Sequence, residues 1–220
     1  RNLTAGEMLS QIYQIQKDTK ERVSNIIVMG MGEPLDNYEE LLRFIKLVSC
    51  EKGIGISQRN ITVSTCGLVD KIRMLADEKL QITLAISLHA PNDEIRRQTM
   101  PIANRYTIGE IIQACKYYFD KTGRRITFEY SMIRGVNDKE EHAKELAGRL
   151  SGLNCHINLI PLNEVKERNC YRSTKEDIEK FKTILEKYRK TVTIRREMGS
   201  DIDAACGQLR KKFLTKNGRN

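Results

Sequence analysis

This sequence has no two cysteines close together, no long apolar run and only four prolines. Each absence excludes something. Zinc and iron–sulfur sites take cysteines a few residues apart, because one short loop must aim both thiolates at the metal. Cys50, Cys66, Cys115, Cys155, Cys170 and Cys206 are scattered instead, so no metal site is expected from these residues. Crossing a bilayer takes roughly eighteen consecutive apolar residues, and no stretch approaches that, which argues against a membrane partner. No secretory leader is visible: Arg1-Asn2-Leu3-Thr4 runs straight into a helical pattern, without an initiator Met. The expectation is a fragment of a longer, cytoplasmic protein. Low-complexity segments and long linkers are missing too, so residues 1–220 are expected to form one large α/β domain rather than two small ones.

What is present first is charge. Lysine and arginine number 38 against 29 acids, a net charge of +9. That surplus suits a polyanionic partner through attraction to phosphates, although solvated helix faces account for it equally. The end of the chain, within 200–220, concentrates Arg210, Lys211, Lys212, Lys216 and Arg219. It reads either as a disordered tail or as an arm touching nucleic acid.

Hydrophobic periodicity supplies the elements. Thr4 with Glu7 three residues on is a capping-box signature, and Met8, Ile12 and Ile15 continue it as an amphipathic helix to about Lys20. Strands are predicted over 25–29, 60–63, 82–86, 125–132, 156–160 and 192–195. Helices are predicted over 37–50, 68–78, 108–121, 138–150 and 174–188, with a short one from near Asp201. Strand and helix alternate at intervals of about thirty residues, which argues parallel pairing through right-handed crossovers. Six units are too few for a closed eight-stranded barrel, which leaves an open or partial β/α barrel, or a doubly wound sheet.

In a barrel of this kind the loops leaving the strand C-termini form the reactive face, and chemistry-bearing residues gather there. Gly30-Met31-Gly32-Glu33-Pro34 follows a strand but lacks the third glycine of a dinucleotide fingerprint. Its glycines leave room for a ligand against the backbone, and Glu33 offers a carboxylate to an ammonium group; a tight turn with an exposed glutamate is the plainer reading. Ser64-Thr65-Cys66-Gly67 combines hydroxyls with free N–H groups ahead of a helix, suited to a carboxylate or ribose, or to simple N-capping. His89 ends the strand that begins at Ile82 and is either a structural histidine or a functional one. Asn163 follows Leu159-Ile160-Pro161-Leu162 and suits a nucleoside ligand or an Asx turn. Cys206, flanked by Ala204, Ala205 and Gly207, would by itself be a small buried residue.

Three strings change the weight of these sites. Arg195-Arg196-Glu197-Met198-Gly199-Ser200-Asp201-Ile202-Asp203-Ala204-Ala205-Cys206-Gly207-Gln208-Leu209 is highly specific. With Gly30-Met31-Gly32-Glu33-Pro34-Leu35 and Ser87-Leu88-His89-Ala90-Pro91-Asn92-Asp93, it resembles the radical S-adenosylmethionine (SAM) adenine-C2 methyltransferases of ribosomal RNA, some of which also modify transfer RNA. The resemblance runs from the first helix to the basic tail. It implies SAM as cofactor, with Gly32 and Glu33 at its amino group and Ser64, Ser87, Leu88, His89 and Asn163 on the rest of it. It implies that Cys206 is catalytic. By the same resemblance this cysteine would be methylated by a first SAM, and a radical made from a second SAM would remove hydrogen from that methyl group. The carbon would then add to adenine C2 as a covalent protein–RNA adduct.

The resemblance also places several features upstream of Arg1: the Cys-x3-Cys-x2-Cys motif of a [4Fe–4S] cluster, a cysteine that resolves the adduct, and a small RNA-binding domain. The chain alone is therefore expected to be inactive. The implied fold is α/β, a partial (open) β/α barrel of the radical SAM type with parallel strands. Its first strand is missing, and an extra strand and short helix lead to the cysteine-bearing segment 200–220. Implied partners are ribosomal RNA, transfer RNA and an external electron donor such as flavodoxin, acting on a cytoplasmic monomer. A relative that methylates adenine C8 and confers antibiotic resistance shares the cofactor logic. A non-catalytic RNA-binding module is the alternative of another class.

Overall fold

The computed structural model describes residues 1–163 and 171–196. Helix α1 (Ala5–Thr19) starts at the capping box foreseen for it: the Glu7 N–H donates to Thr4 Oγ1, and the Thr4 N–H donates to the Glu7 carboxylate at 2.8 Å. The chain then runs β1 (Ile26–Val28), α2 (Tyr38–Val48), β2 (Ile61–Thr65), α3 (Val69–Asp77), β3 (Thr83–Ser87) and α4 (Asp93–Thr99). It continues with α5 (Ile108–Thr122), β4 (Ile126–Met132), α6 (Glu140–Arg149), β5 (Cys155–Pro161), α7 (Lys175–Lys187) and β6 (Thr191–Ile194). The predicted elements recur with ends shifted by a few residues. The helix predicted near Asp201 lies outside the described residues.

Helix α4 was not foreseen, and its physics explains why. Asp93-Glu94-Ile95-Arg96-Arg97-Gln98-Thr99 has no apolar stripe, and the residue it buries is an arginine, Arg96. It forms because the Asn92 side chain accepts the Ile95 N–H at 3.0 Å, while Asp93 and Glu94 sit at the positive end of the helix. Pro101 follows it and opens a 3-10 turn.

The six strands are ordered β1-β2-β3-β4-β5-β6. A doubly wound sheet reverses its strand order at a switch point; this order has no reversal, so that alternative falls away. Pairing is parallel where β1 meets β2 (Ile26 beside Ile61), where β2 meets β3 (Ser64 beside Ala85) and where β5 meets β6 (Asn158 beside Thr193).

The chain forms two compact units. The first holds residues 1–29, 33–86 and 110–126, the second 30–32, 87–109 and the rest from 127. In the first, Leu41, Ile45, Ile61, Val63, Ile72, Leu75, Leu84 and Tyr118 are buried together as its core. In the second, Phe128, Tyr130, Leu146, Ile157, Leu159, Phe181 and Leu185 are buried, and the Tyr130 and Phe181 rings lie 5.2 Å apart.

Parallel strands covered on both faces read as continuous apolar runs. These strands alternate. In the first unit Val63, Leu84 and Ile86 occupy one face, and Thr62, Ser64, Thr83 and Ala85 the other. In the second, Phe128, Tyr130 and Met132 occupy one face of β4, and Thr127, Glu129 and Ser131 the other. His156 and Asn158 on β5 and Thr191 and Thr193 on β6 extend that polar face. Each unit therefore presents a polar sheet face, the surface available to a polar ligand.

Candidate functional site

Glu33 opens the part of the first unit that resumes after β1. Pro34 holds Glu33 extended at φ −117°, ψ 114°, and Gly32 takes φ +93°, which side chains rarely adopt. One Glu33 carboxylate oxygen accepts the Leu35 N–H at 3.0 Å; the other accepts the Cys66 N–H at 2.7 Å. Glu33 thus caps the 3-10 turn Pro34–Asn37 and ties it to the end of β2. It is neither an exposed turn residue nor an uncommitted carboxylate. A carboxylate offers about four acceptor positions, so capacity remains for an ammonium group.

The N–H groups after β2 are likewise not free. Cys66 donates to Glu33, and Gly67 donates to Thr65 Oγ1 at 3.1 Å. The expectation of a ready-made anion site there is corrected by these two bonds. Ser64 is buried on the polar face of β2, and its hydroxyl has no hydrogen-bond partner among the described residues.

In the second unit the segment Ser87-Leu88-His89 is fixed from three directions. The Leu88 and His89 N–H groups both donate to the Glu129 carbonyl, at 3.1 and 3.2 Å. The fully buried Arg96 donates from Nε to the Leu88 carbonyl at 3.2 Å and from Nη2 to the Ser87 carbonyl at 3.3 Å. The fully buried Asn137 donates from Nδ2 to the His89 carbonyl at 2.8 Å and to the Ser131 carbonyl at 2.7 Å. Its Oδ1 accepts the Ile133 N–H at 2.7 Å, and its own carbonyl accepts the Tyr130 hydroxyl at 2.7 Å. Leu88 is buried and serves through its backbone.

His89 sits in left-handed backbone at φ 57°. Its Nδ1 accepts the Ser131 N–H at 3.0 Å, so the proton is on Nε2 and the ring offers one outward donor. Burial, with the Arg96 charge nearby, pushes its pKa down to about 4, which keeps the ring neutral. Glu129 is buried, and burial raises its pKa, against the Asn158 hydrogen bond and the Arg195 charge that lower it.

Glu33 and Ser64 fall in one unit; Gly32, Ser87, Leu88, His89 and Asn163 fall in the other. Asn163 is half-buried, two residues past β5. Cys206 lies outside the described residues. Sequence reasoning missed Arg96, Glu129 and Asn137. The signal for Asn137 is the Gly135-Val136-Asn137-Asp138 turn between β4 and α6. Among the described residues Cys50, Cys66, Cys115 and Cys155 form no disulfide, and no three His, Cys, Asp or Glu side chains converge as a metal site. No helix among them is long and apolar enough to cross a membrane.

Singly wound strand order, a polar sheet face and structured loops at the strand ends define an α/β fold of the β/α-barrel class. The sequence pattern of the radical SAM superfamily matches residues 7–147, and the chain belongs to that superfamily. A relative from Lachnospira eligens named "Probable dual-specificity RNA methyltransferase RlmN" is 62% identical over 97% of this chain and 61% of its own length. One of the same name from Clostridium novyi is 57% identical over 99% of this chain and 63% of its own length. The crystal structure of a radical SAM methyltransferase from Sphaerobacter thermophilus matches with a TM-score of 0.89 at 48% identity, covering 94% of this chain and 62% of that one. Streptococcus suis SuiB bound to S-adenosylmethionine matches at 0.62 with 16% identity over 89% of this chain and 44% of that one, a likeness of fold alone. The chain spans less than two thirds of the length of the two curated relatives.

Proposed function

We propose that the full-length protein is a SAM-dependent RNA methyltransferase that methylates C2 of an adenine in large-subunit (23S) ribosomal RNA, and in transfer RNA, through a methylated Cys206. The observation that carries this reading is the rigid Ser87-Leu88-His89 segment, held by Arg96, Asn137 and the Glu129 carbonyl. It stands in a chain 62% identical to a relative named as an RNA methyltransferase.

The residues fit SAM. A side chain added at Gly32 would meet no atom within 4 Å, so the backbone there is open to a ligand. The hydroxyls of Ser64 and Ser87 have no hydrogen-bond partner among the described residues, and the His89 Nε2–H points away from its Nδ1 bond to Ser131. In the proposal Glu33 and the Gly32 backbone hold the SAM ammonium, Glu33 through a charge-assisted bond. Ser64, Ser87, Leu88, His89 and Asn163 hold its carboxylate and nucleoside. SAM, when bound, supplies the methyl group and, on reductive cleavage, a carbon radical.

The described cysteines do not fit the ligand set of a [4Fe–4S] cluster, so its ligands are assigned to residues outside this chain. An external donor such as flavodoxin and a cytoplasmic, monomeric setting complete the proposal. Peptide mass spectrometry of the full-length protein tests the role of Cys206. S-methylation is expected on Cys206 and on no other cysteine of this chain. An unmodified Cys206 in protein that methylates RNA would remove the intermediate.

A further inference from the structure

On the polar face of β4 and β5 stands a hydrogen-bonded line that the roles above leave unused. Asn158 donates from Nδ2 to Glu129 Oε2 at 2.8 Å. The Thr193 hydroxyl donates to Asn158 Oδ1 at 3.1 Å, and His156 Nε2 lies 2.9 Å from the same hydroxyl oxygen. The order of these bonds fixes the Asn158 amide: its nitrogen faces the carboxyl and its oxygen faces Thr193. Glu129 is only 7% exposed, yet its second carboxyl oxygen has no hydrogen-bond partner among the described residues. The second amide hydrogen of Asn158 has none among them either. That oxygen is not among the fully enclosed unpaired atoms of the described residues, so it is open to a partner from outside the chain, and it stands beside an unspent donor.

Resting on the methyltransferase reading above, we propose that Glu129 and Asn158 form a site that reads the edge of an adenine. Adenine presents its N6 amino donor next to a ring-nitrogen acceptor, N1 on one edge and N7 on the other. The free Glu129 oxygen accepts from N6, and the free Asn158 N–H donates to the ring nitrogen. Hypoxanthine, with O6 in place of the amino group, sets an acceptor against the Glu129 oxygen and is rejected. Two molecules of the reaction carry this edge, the adenosyl group of SAM and the target adenosine of the RNA. Thr193 and His156 act through Asn158 as positioning residues.

Calorimetric binding to the full-length protein tests the site in two arms. The first compares S-adenosyl-L-homocysteine with S-inosyl-L-homocysteine. The second compares a ribosomal RNA hairpin carrying adenosine or inosine at the methylated position. Wild-type protein is expected to favour the adenine form by roughly tenfold in one arm, the worth of one good hydrogen bond. That arm identifies which adenine is read.

Glu129→Gln turns the free acceptor into an N–H donor and is expected to abolish or reverse the preference in that arm. Thr193→Val, at an exposed position, frees the Asn158 amide to rotate and should reduce the same preference. It carries the test if the glutamine variant does not fold. A wild-type protein that binds both ligands without preference, or variants that keep the full preference, overturns the adenine site alone. A wild-type protein that binds neither ligand overturns the methyltransferase reading and the site with it.

Discussion

His89 holds a left-handed backbone conformation that costs a residue with a β-carbon roughly 1–2 kcal/mol. Its N–H, its carbonyl and its Nδ1 are each engaged by the second unit, which is how that cost is met. The same enclosure gives the ring a pH signature. Its native pKa of about 4 lies below the ordinary value of 6.5. Between those values the unfolded chain binds a proton that the native ring refuses. The stabilisation is therefore complete above pH 6.5 and is lost as pH falls toward 4. His89→Asn tolerates the left-handed backbone and does not titrate. In urea melts it should remove about 3 kcal/mol of the acid-induced loss across that window; an identical decline in both proteins would contradict the enclosed neutral ring.

Glu33 makes a second residue-scale prediction. Glutamine in its place turns an N–H donor toward the Leu35 or Cys66 N–H. Glu33→Gln is expected to cost about 1–2 kcal/mol of stability as well as weakening SAM binding, read by thermal melting and calorimetry on one preparation. Weakened SAM binding with unchanged stability would show that the two backbone bonds are expendable. The glycines, Pro34 and Glu33 were legible in the sequence as a loop at a strand end. The double backbone bond was not, because Leu35 and Cys66 are 31 residues apart and nothing local pairs them.

At the scale of elements, one asparagine joins β4 to the loop after β3. Asn137 uses both amide hydrogens and its side-chain oxygen on three backbone groups. Asn137→Ala leaves those groups buried without partners, and should cost about 3 kcal/mol by chemical denaturation. Asn137→Asp loses the two donated bonds and is expected to fare no better. A loss below about 0.5 kcal/mol would mean that water replaces the amide easily. Strands and long helices were legible because Leu41, Ile45 and Val48 in α2, and Ile72, Leu75 and Ala76 in α3, recur at helical spacing, and because β-branched residues cluster in β1 and β2. Helix α4 was not, since hydrophobic periodicity is blind to a helix whose buried residue is Arg96. The polar sheet face was written in the alternation Thr127-Phe128-Glu129-Tyr130-Ser131. It gained meaning only once β5 and β6 placed Asn158 and Thr193 beside it.

At the scale of the whole molecule, the net charge of +9 predicts RNA binding that weakens with salt, as lysines and arginines displace counterions from phosphates. Removing residues 210–220, which lie outside the described part, should flatten the dependence of log K on log salt. A slope unchanged by that deletion would return the tail to a solubility role. The roles of Cys206 and Asn163 came from resemblance to a family, since neither spacing nor burial distinguishes a methyl-carrying cysteine from a small hydrophobic one. The most direct measurement follows the methyl carbon itself. Full-length protein loaded with its cluster is given SAM labelled with 13C at the methyl group, together with ribosomal RNA, and the product is digested to nucleosides for mass spectrometry and NMR. The account predicts the label on C2 of adenosine. Label on C8, or SAM bound with no label in any nucleoside, would contradict it.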